Sequence, residues 1–401
     1  MNSWSLWDWP FFEPRHHALA ERLRDWQRQC VPLDGRAQHS RYLADECRML
    51  ARELAQWGFL DHAFPHEGAP VDVRSISLIR EALAYCSPLA DNTFVMQGLG
   101  TAPLWLAGSA ELKARYLEPC RRGERIAAVA ITEPQGGSDV AAIATSARAA
   151  DGGYVLNGAK AWITNAGVAD QYIVVARTGE ALGAKGLSVF IVDAGSRGLT
   201  VGPPDDMVAP HPIAGLTFED CFVPSSQMIG APGEGFKAAM STFDIFRTSV
   251  GAAAIGMARR ALDETLRRVK TRRMFGKTMA ELESVQARLA DMALDTESGA
   301  LLVYRAAWAR DVRGGRVSRN VALAKLGATE AAQRVIDSAV QLFGGQGVTR
   351  GCIVEQLYRD IRPLRIYEGA SEVQKLIVAR SLLAQVPNPA SPTDLGAKET
   401  R

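Results

Sequence analysis

Four short stretches of the chain, three of them containing glycine, carry polar side chains in ways that could hold a ligand or move a proton. In ITEPQGGSD, residues 131–139, Gly136 and Gly137 let backbone approach a ligand closely. Thr132 and Ser138 offer hydroxyl donors, and Pro134 stiffens the turn; a plain turn between strands is the competing reading. NGAKAWITN, residues 157–165, reads as a hairpin turn leading into a strand with Trp162 and Thr164 on one face. A large indole beside a hydroxyl could support a flat heterocycle, or the indole could simply be core. Arg272 lies in a basic cluster, residues 267–273, that suits a phosphate or a solvated helix face. Glu368 precedes Gly369 at the predicted start of a helix, where the backbone N–H is free and the carboxylate could equally serve the helix dipole.

These stretches need elements to position them. Residues 1–125 read as helical, with apolar residues at helical spacing in ALAERLRDWQRQC and YLADECRMLARELAQWGF. Residues 126–232 change texture to short runs such as IAAVAI, YVLNG, QYIVVART, LSVFIVD, LTVG and LTFEDCFV. Gly and Asp turns separate them, which predicts a small antiparallel β domain. Residues 233–385 are helical again, in four long segments that suggest a bundle. The third segment spans about 320–343, and the fourth begins near Glu368. Residues 386–401, polar and Pro-rich, read as a mobile tail. The fold class is therefore α+β, mainly α. The α–β–α order, without strand–helix alternation, argues against a dinucleotide-binding Rossmann domain, and no Walker loop is found.

Composition narrows the function. The chain has 401 residues, 46 basic and 44 acidic, for a net charge of +2. That balance gives no electrostatic footprint for nucleic acid. Six cysteines form no CxxC pair, which argues against zinc or a disulfide framework and suits a reducing cytosol. His62 and His66 are separated by Pro65, so no metal site is expected. No apolar run reaches the ~18 residues of a membrane span. The N-terminus has neither a secretory nor a transit pattern, so a cytoplasmic location is expected. Its tryptophans and phenylalanines are expected to pack on the body of the fold.

Together, the loop at residues 131–139 and the strand at 157–165 resemble the two signatures of the acyl-CoA dehydrogenase family. Further matches follow in order. Arg272 to Lys277 resembles the family's RxxFGK segment, with Gln286 at the usual distance. Gln341 to Gly347 resembles its QxxGGxG turn. Arg359-Asp360 and Ile366-Tyr367-Glu368-Gly369 resemble its RD…IYEG ending. The resemblance covers roughly residues 20–385.

The resemblance implies FAD as cofactor. Val129, Ile131, Thr132, Ser138, Trp162 and Thr164 would hold the isoalloxazine ring. Arg272, Phe275, Gln286, Gln341, Gly344 and Gly345 would reach the FAD of a neighbouring subunit, which implies a homotetramer. Glu368 would be the catalytic base, with its backbone N–H on the thioester oxygen. Ser138, Asp244, Arg247, Tyr367 and Gly369 would contact substrate. Some relatives carry the base just before the arginine matching Arg247; here that residue is Phe246, which leaves Glu368 without a competitor. Ala370 replaces the Thr that commonly follows the EG pair, and residues 207–214 lack the usual Arg-Gly-Ser. Asp91 and Val95 fall where a straight-chain enzyme would form the pocket floor.

The implied reaction is α,β-dehydrogenation of an acyl-CoA to a trans-2-enoyl-CoA, with electrons passing to an electron-transfer flavoprotein. An acyl carrier protein could replace CoA. Two alternatives share the fold: a flavin monooxygenase or oxidase, and a non-catalytic flavin-bound relative that binds DNA. The intact Tyr367-Glu368-Gly369 favours the dehydrogenase over the first, and the charge balance weighs against the second.

Overall fold

The computed structural model describes residues 9–29, 40–65, 70–179, 181, 183–315 and 317–386. The first helical region comprises α1 (Pro14–Gln29), α2 (Ser40–Gln56), α3 (Val73–Cys86) and α4 (Pro88–Leu99), then the short α5 (Ala102–Ala107), α6 (Ala110–Leu112) and α7 (Glu118–Arg121). Asp72 starts α3 by accepting from the N–H groups of Arg74 and Ser75. Ser87 ends α3 and caps α4, where Pro88 fills the first helical position. Every residue of α3 from Val73 to Tyr85 is buried, Arg74, Arg80 and Glu81 included. A helix enclosed on all sides is a core element.

Ten strands follow the same chain order. β1 (Ala127–Ala130), β2 (Ser146–Ala150), β3 (Gly153–Thr164), β4 (Gln171–Arg177), β5 (Leu187–Asp193), β6 (Leu199–Pro204), β7 (Ile213–Pro224) and β8 (Met228–Ile229) form one sheet in the order β6-β7-β3-β2-β4-β5-β8, with β1 beside β4. β9 (Arg273–Met274) and β10 (Lys277–Thr278) form a separate hairpin. The sheet is not wholly antiparallel as expected: β1 pairs β4 in parallel, and β2 meets β4 at the single parallel pair Ser146↔Arg177. A helix-to-sheet connection delivers β1 already pointing along β4, a direction no local pattern encodes. β2, SARAA, lacks the β-branched residues that mark the other strands and escapes the sequence reading.

Asn157-Gly158 is no hairpin turn either. It lies within β3, a single strand of twelve residues, at a register shift against β7. Gly158 sits at φ +144, and a Cβ there would approach Thr145 to 2.8 Å. This is glycine used for a bulge and a close backbone approach.

The last region begins with α8 (Gly235–Thr271). The β9–β10 hairpin, α9 (Glu283–Trp308), α10 (Ser318–Phe343), α11 (Ile353–Ile361) and α12 (Ser371–Leu383) complete it. The short α11 was not foreseen, because nine residues between Gly-rich turns give a weak periodic signal. α12 starts three residues after Glu368, so the carboxylate precedes the helix instead of opening it.

α3 lies directly on α8. A Cβ at Gly256 would fall 2.2 Å from the Glu81 carbonyl oxygen, so only glycine permits this backbone approach. Arg259 Nε donates to Glu81 Oε1 at 2.8 Å, and the Tyr304 hydroxyl donates to Glu81 Oε2 at 2.6 Å. The buried carboxylate is thus compensated by partners on α8 and α9. Trp9, Phe11 and Phe12 pack against Tyr304 and Trp308, as expected of that segment; Trp4 and Trp7 lie outside the described residues. His66 and residues 387–401 of the expected tail do as well. Among the described residues, no helix is long and apolar enough to cross a membrane, and no group of three His, Cys, Asp or Glu could hold a metal. None of the five described cysteines is in a disulfide.

Candidate active site

The loop after β1 is anchored from inside. Glu133 accepts from the N–H groups of Ala144 and Thr145, each at 2.8 Å, from Lys160 Nζ at 2.9 Å and from the Thr145 hydroxyl. Lys160 also donates to the Ile131 carbonyl at 3.1 Å, and Ala161 N–H donates to the Thr132 carbonyl at 3.0 Å. Burial alone would raise the Glu133 carboxyl, but the Thr145 hydroxyl, the backbone donors and Lys160 outweigh it and hold it below its usual range. Burial pushes Lys160 down to about 8, with Glu133 opposing. The buried pair therefore locks the loop onto β3.

The outer face of this assembly is open. Residues 134–139 are exposed, Ser138 among them, while Ile131 is buried and Val129, Thr132 and Thr164 are partly buried. Trp162 is 54% exposed and sits at φ +53 within a second register shift of β3. Such a conformation is costly for a bulky residue. Here it turns an indole outward beside Thr164. An open ring, hydroxyl donors and a glycine loop, whose Gly136 has nothing within 4 Å of a would-be Cβ, are features that could take a planar group.

Glu368 stands on strained backbone of its own. It sits at φ +51 and is followed by Gly369 at φ +93. Three side chains hold this turn. Arg247 Nε donates to the Glu368 carbonyl at 2.8 Å, and Lys325 Nζ and Gln374 Nε2 each donate to the Gly369 carbonyl at 2.9 Å. The clamp engages main-chain oxygens and leaves the carboxylate alone: Glu368 Oε2 is buried without a hydrogen-bond partner. Among the described residues, no carbonyl accepts from the Glu368 N–H.

The electrostatics follow from that isolation. Burial raises the Glu368 carboxyl above 4.5, and the cations Arg80, Arg247 and Lys325 oppose it without reversing it. Burial likewise brings Lys325 down to about 8, against the pull of Glu368. Tyr367, next to the base, is 38% exposed at the mouth. Asp244 and Arg247, expected to contact substrate, are half-buried on α8, and Arg247 reaches the Glu368–Gly369 turn. Phe246 is fully buried, with a Cβ at Gly98 of α4 lying 2.6 Å from its ring. It presents no rival carboxylate.

Near Glu368 lies a buried charged group of which the sequence had singled out only Asp91, at the pocket-floor position that the resemblance implies. Arg80 of α3 donates to both oxygens of Asp91 of α4, at 2.7 and 2.9 Å, and to the Ser249 hydroxyl at 3.1 Å. Arg80 and Asp91 are almost completely buried. The signal was present as an arginine beside Glu81 inside the largely apolar ISLIREALAY. Lys325, the one buried charge of the alanine-rich α10, was missed in the same way.

The remaining expected residues gather at another end of the bundle. Phe275 and Gly276, both at positive φ, form the two-residue loop of the β9–β10 hairpin. Phe275 is 86% exposed. Arg272, Gln286, Gln341, Gly344 and Gly345 are exposed nearby, around a small core of Val269, Met279 and Val285 against which Leu342 packs. Arg268 ties this end together by donating to the Phe343 carbonyl at 2.8 Å. No hydrogen bond or ion pair between described residues joins this group to Trp162 or Glu368.

An isolated carboxylate, an open indole beside a hydroxyl loop, and a sheet between two helical regions define a cofactor-dependent enzyme of the α+β class. The chain belongs to the acyl-CoA dehydrogenase family. It matches the family's N-terminal domain over residues 13–124, its middle domain over 128–221 and its C-terminal domain over 233–383. It is 36% identical over 379 residues to a 3-(aryl)acrylate reductase of Clostridium sporogenes, covering 93% of this chain and 100% of the relative. The butyryl-CoA dehydrogenase structure from Megasphaera elsdenii aligns with a TM-score of 0.83 at 32% identity, covering 93% of this chain and 99% of that one. The FAD complex of PigA aligns with a TM-score of 0.84 at 32% identity, covering 94% and 99%. The chain is therefore an oxidoreductase acting on CH–CH groups, with FAD as its cofactor.

Proposed function

We propose that the chain removes hydrogen from the α and β carbons of an acyl-CoA, giving the trans-2-enoyl-CoA, and passes the electrons to an electron-transfer flavoprotein. The observation that carries this reading is the Glu368 carboxylate: buried, without a hydrogen-bond partner, raised in basicity, and fixed through its main chain by Arg247. A base of this kind suits removal of a weakly acidic proton at neutral pH.

The residues divide the work. Val129, Ile131, Thr132, Ser138, Trp162 and Thr164 would hold the flavin ring on the outer face of the sheet. When bound, the flavin supplies the acceptor for a hydride from the β carbon. Glu368 takes the α proton onto its free oxygen. The Glu368 N–H, turned free by the left-handed backbone, donates to the thioester oxygen, where charge develops. Ser138, Asp244, Arg247, Tyr367 and Gly369 would line the substrate, with Tyr367 at the mouth. Arg272, Phe275, Gln286, Gln341, Gly344 and Gly345 are exposed around the β9–β10 hairpin, and from the family resemblance we infer a homotetramer in which they reach a neighbour's FAD. A guanidinium and glycine backbone suit a pyrophosphate.

The similarity to the 3-(aryl)acrylate reductase favours a second reading, in which the same carboxyl donates its proton and the double bond is reduced. The test is anaerobic addition of a panel of acyl-CoAs to the purified flavoprotein. Bleaching of the flavin by a saturated acyl-CoA is expected. Failure of every acyl-CoA to bleach it would overturn the dehydrogenase reading, and oxidation of the prereduced flavin by arylacrylyl-CoA alone would establish the reverse one.

A further inference from the structure

We propose that Glu330 is a positioning residue for the base: its one carboxylate ties together the two ends of the loop that carries Glu368. This rests on the reading of Glu368 as the proton acceptor and adds a residue through which that group is held in place.

The loop, residues 366–370, runs from the 3-10 turn Arg362–Arg365 to the start of α12 at Ser371. Arg365, just before the loop, meets Glu330 as a fork. Its Nε donates to Oε1 at 2.9 Å, and its Nη2 lies 2.8 Å from Oε2. Ser371, just after the loop, donates its hydroxyl to the same Oε1 at 2.6 Å. Both oxygens of one side chain on α10 are therefore engaged, and the loop's ends are bridged through them. The usual device for fixing a helix start is missing here. Ala370, at the N-cap of α12, has no side-chain oxygen to accept from the first N–H groups.

The bridge matters because of what the loop holds. Glu368 and Gly369 stand at φ +51 and φ +93, a conformation that lasts only where the surroundings over-determine it. Arg247, Lys325 and Gln374 grip the middle of the loop through main-chain oxygens. None of them holds its ends. Lys325 and Glu330 share a helix, so α10 meets the loop at its centre and at both ends. α10 is in turn set against α8, which carries Arg247: a Cβ at Gly251 of α8 would lie 3.2 Å from the Ala328 Cβ and 3.3 Å from the Ala324 carbonyl oxygen. A partly exposed ion pair such as Glu330–Arg365 adds little to stability. Its value here is geometric. It stops the loop ends from parting, which would let Glu368 swing out of its buried site, and small misplacements of a reacting group are costly in rate.

The experiment compares wild type with Glu330→Ala, both as FAD-loaded enzymes. Difference infrared spectra, with Glu368→Gln as the blank, follow the titration of the Glu368 carboxyl without any acyl-CoA. Anaerobic stopped-flow mixing reads the rate of flavin bleaching by a saturating amount of the acyl-CoA that bleaches wild type fastest. Glu330→Ala is expected to keep FAD, to bleach at least ~10-fold more slowly, and to titrate Glu368 at a lower pH than wild type. The shift is downward because a loosened loop admits water to a carboxyl that burial holds up, while Arg80, Arg247, Lys325 and Asp91 stay around it. A merely structural role would lower Tm and leave that titration in place. Arg365→Ala and Ser371→Ala each cut one end and are expected to show both changes in smaller measure. A folded, FAD-bearing Glu330→Ala with the wild-type titration of Glu368 would overturn the proposal, and so would one with the wild-type bleaching rate. Should Glu330→Ala fail to fold, the two single-end variants decide, and no effect from either would overturn it. Failure of every acyl-CoA to bleach wild type would instead remove the dehydrogenase reading, and the infrared titration would still decide on the bridge.

Discussion

At the scale of single residues, the site depends on side chains set on left-handed backbone. Trp162, Phe275 and Glu368 all have positive φ; the first and last were singled out by sequence for chemical reasons and Phe275 by the family resemblance. Strain of this kind persists only where neighbours enforce it; for Glu368 the enforcers are Arg247, Lys325 and Gln374. Glu368→Gln is expected to keep FAD and ligand while losing at least ~100-fold in turnover. Its pH behaviour should identify the cause. Because burial raises this carboxyl above 4.5, the folded state tolerates the protonated form and loses stability as pH rises through the folded pKa. Glutamine removes that loss. The variant should melt above wild type near pH ~8, with the gap closing as pH falls toward the ordinary carboxylate range. A gap independent of pH would show that the carboxyl is not buried as an ion. In the wild type, kcat/KM should fall on the acid side through the same raised pKa.

At the scale of elements, the decisive device is the Glu133–Lys160 pair that fastens the loop after β1 to β3. Lys160→Met leaves Glu133 buried without its cation. It should cost roughly 3–5 kcal/mol, seen as a lower Tm and as FAD released at a lower denaturant concentration than in wild type. Normal stability and retention would mean that the Thr145 hydroxyl and the backbone donors suffice. The same element shows what sequence could and could not tell. Residues 131–139 and 157–165 were readable because glycine, hydroxyl and indole occur in order on short segments. The bulge at Gly158 was read as a turn, since an Asn-Gly pair carries the same local signal in either setting. Arg80 and Lys325 form no local pattern, and Asp91 was placed only by the family resemblance. They acquire meaning only when α3, α4, α8 and α10 converge, which is long-range information. The parallel β1–β4 pairing was hidden for the same reason.

At the scale of the molecule, the exposed group around Phe275 is joined to neither Trp162 nor Glu368 by any hydrogen bond or ion pair between described residues. If it serves a neighbour's cofactor, Phe275→Asp should weaken both association and FAD retention. Sedimentation velocity and flavin-to-protein absorbance ratio would then change together. A variant that stays associated with full FAD would separate the two. The chain's three regions by sequence are also not three independent bodies. α3, from the first third, is enclosed on every side, and α8, from the last, supplies the backbone it rests on and the arginine that answers Glu81. Synthesis on the ribosome is vectorial, so α3 emerges with its buried arginines and glutamate long before α8 exists to cover them. Until the end of the chain arrives, this helix must wait in a loose or chaperone-held state, and the base at residue 368 is among the last parts to be set in place.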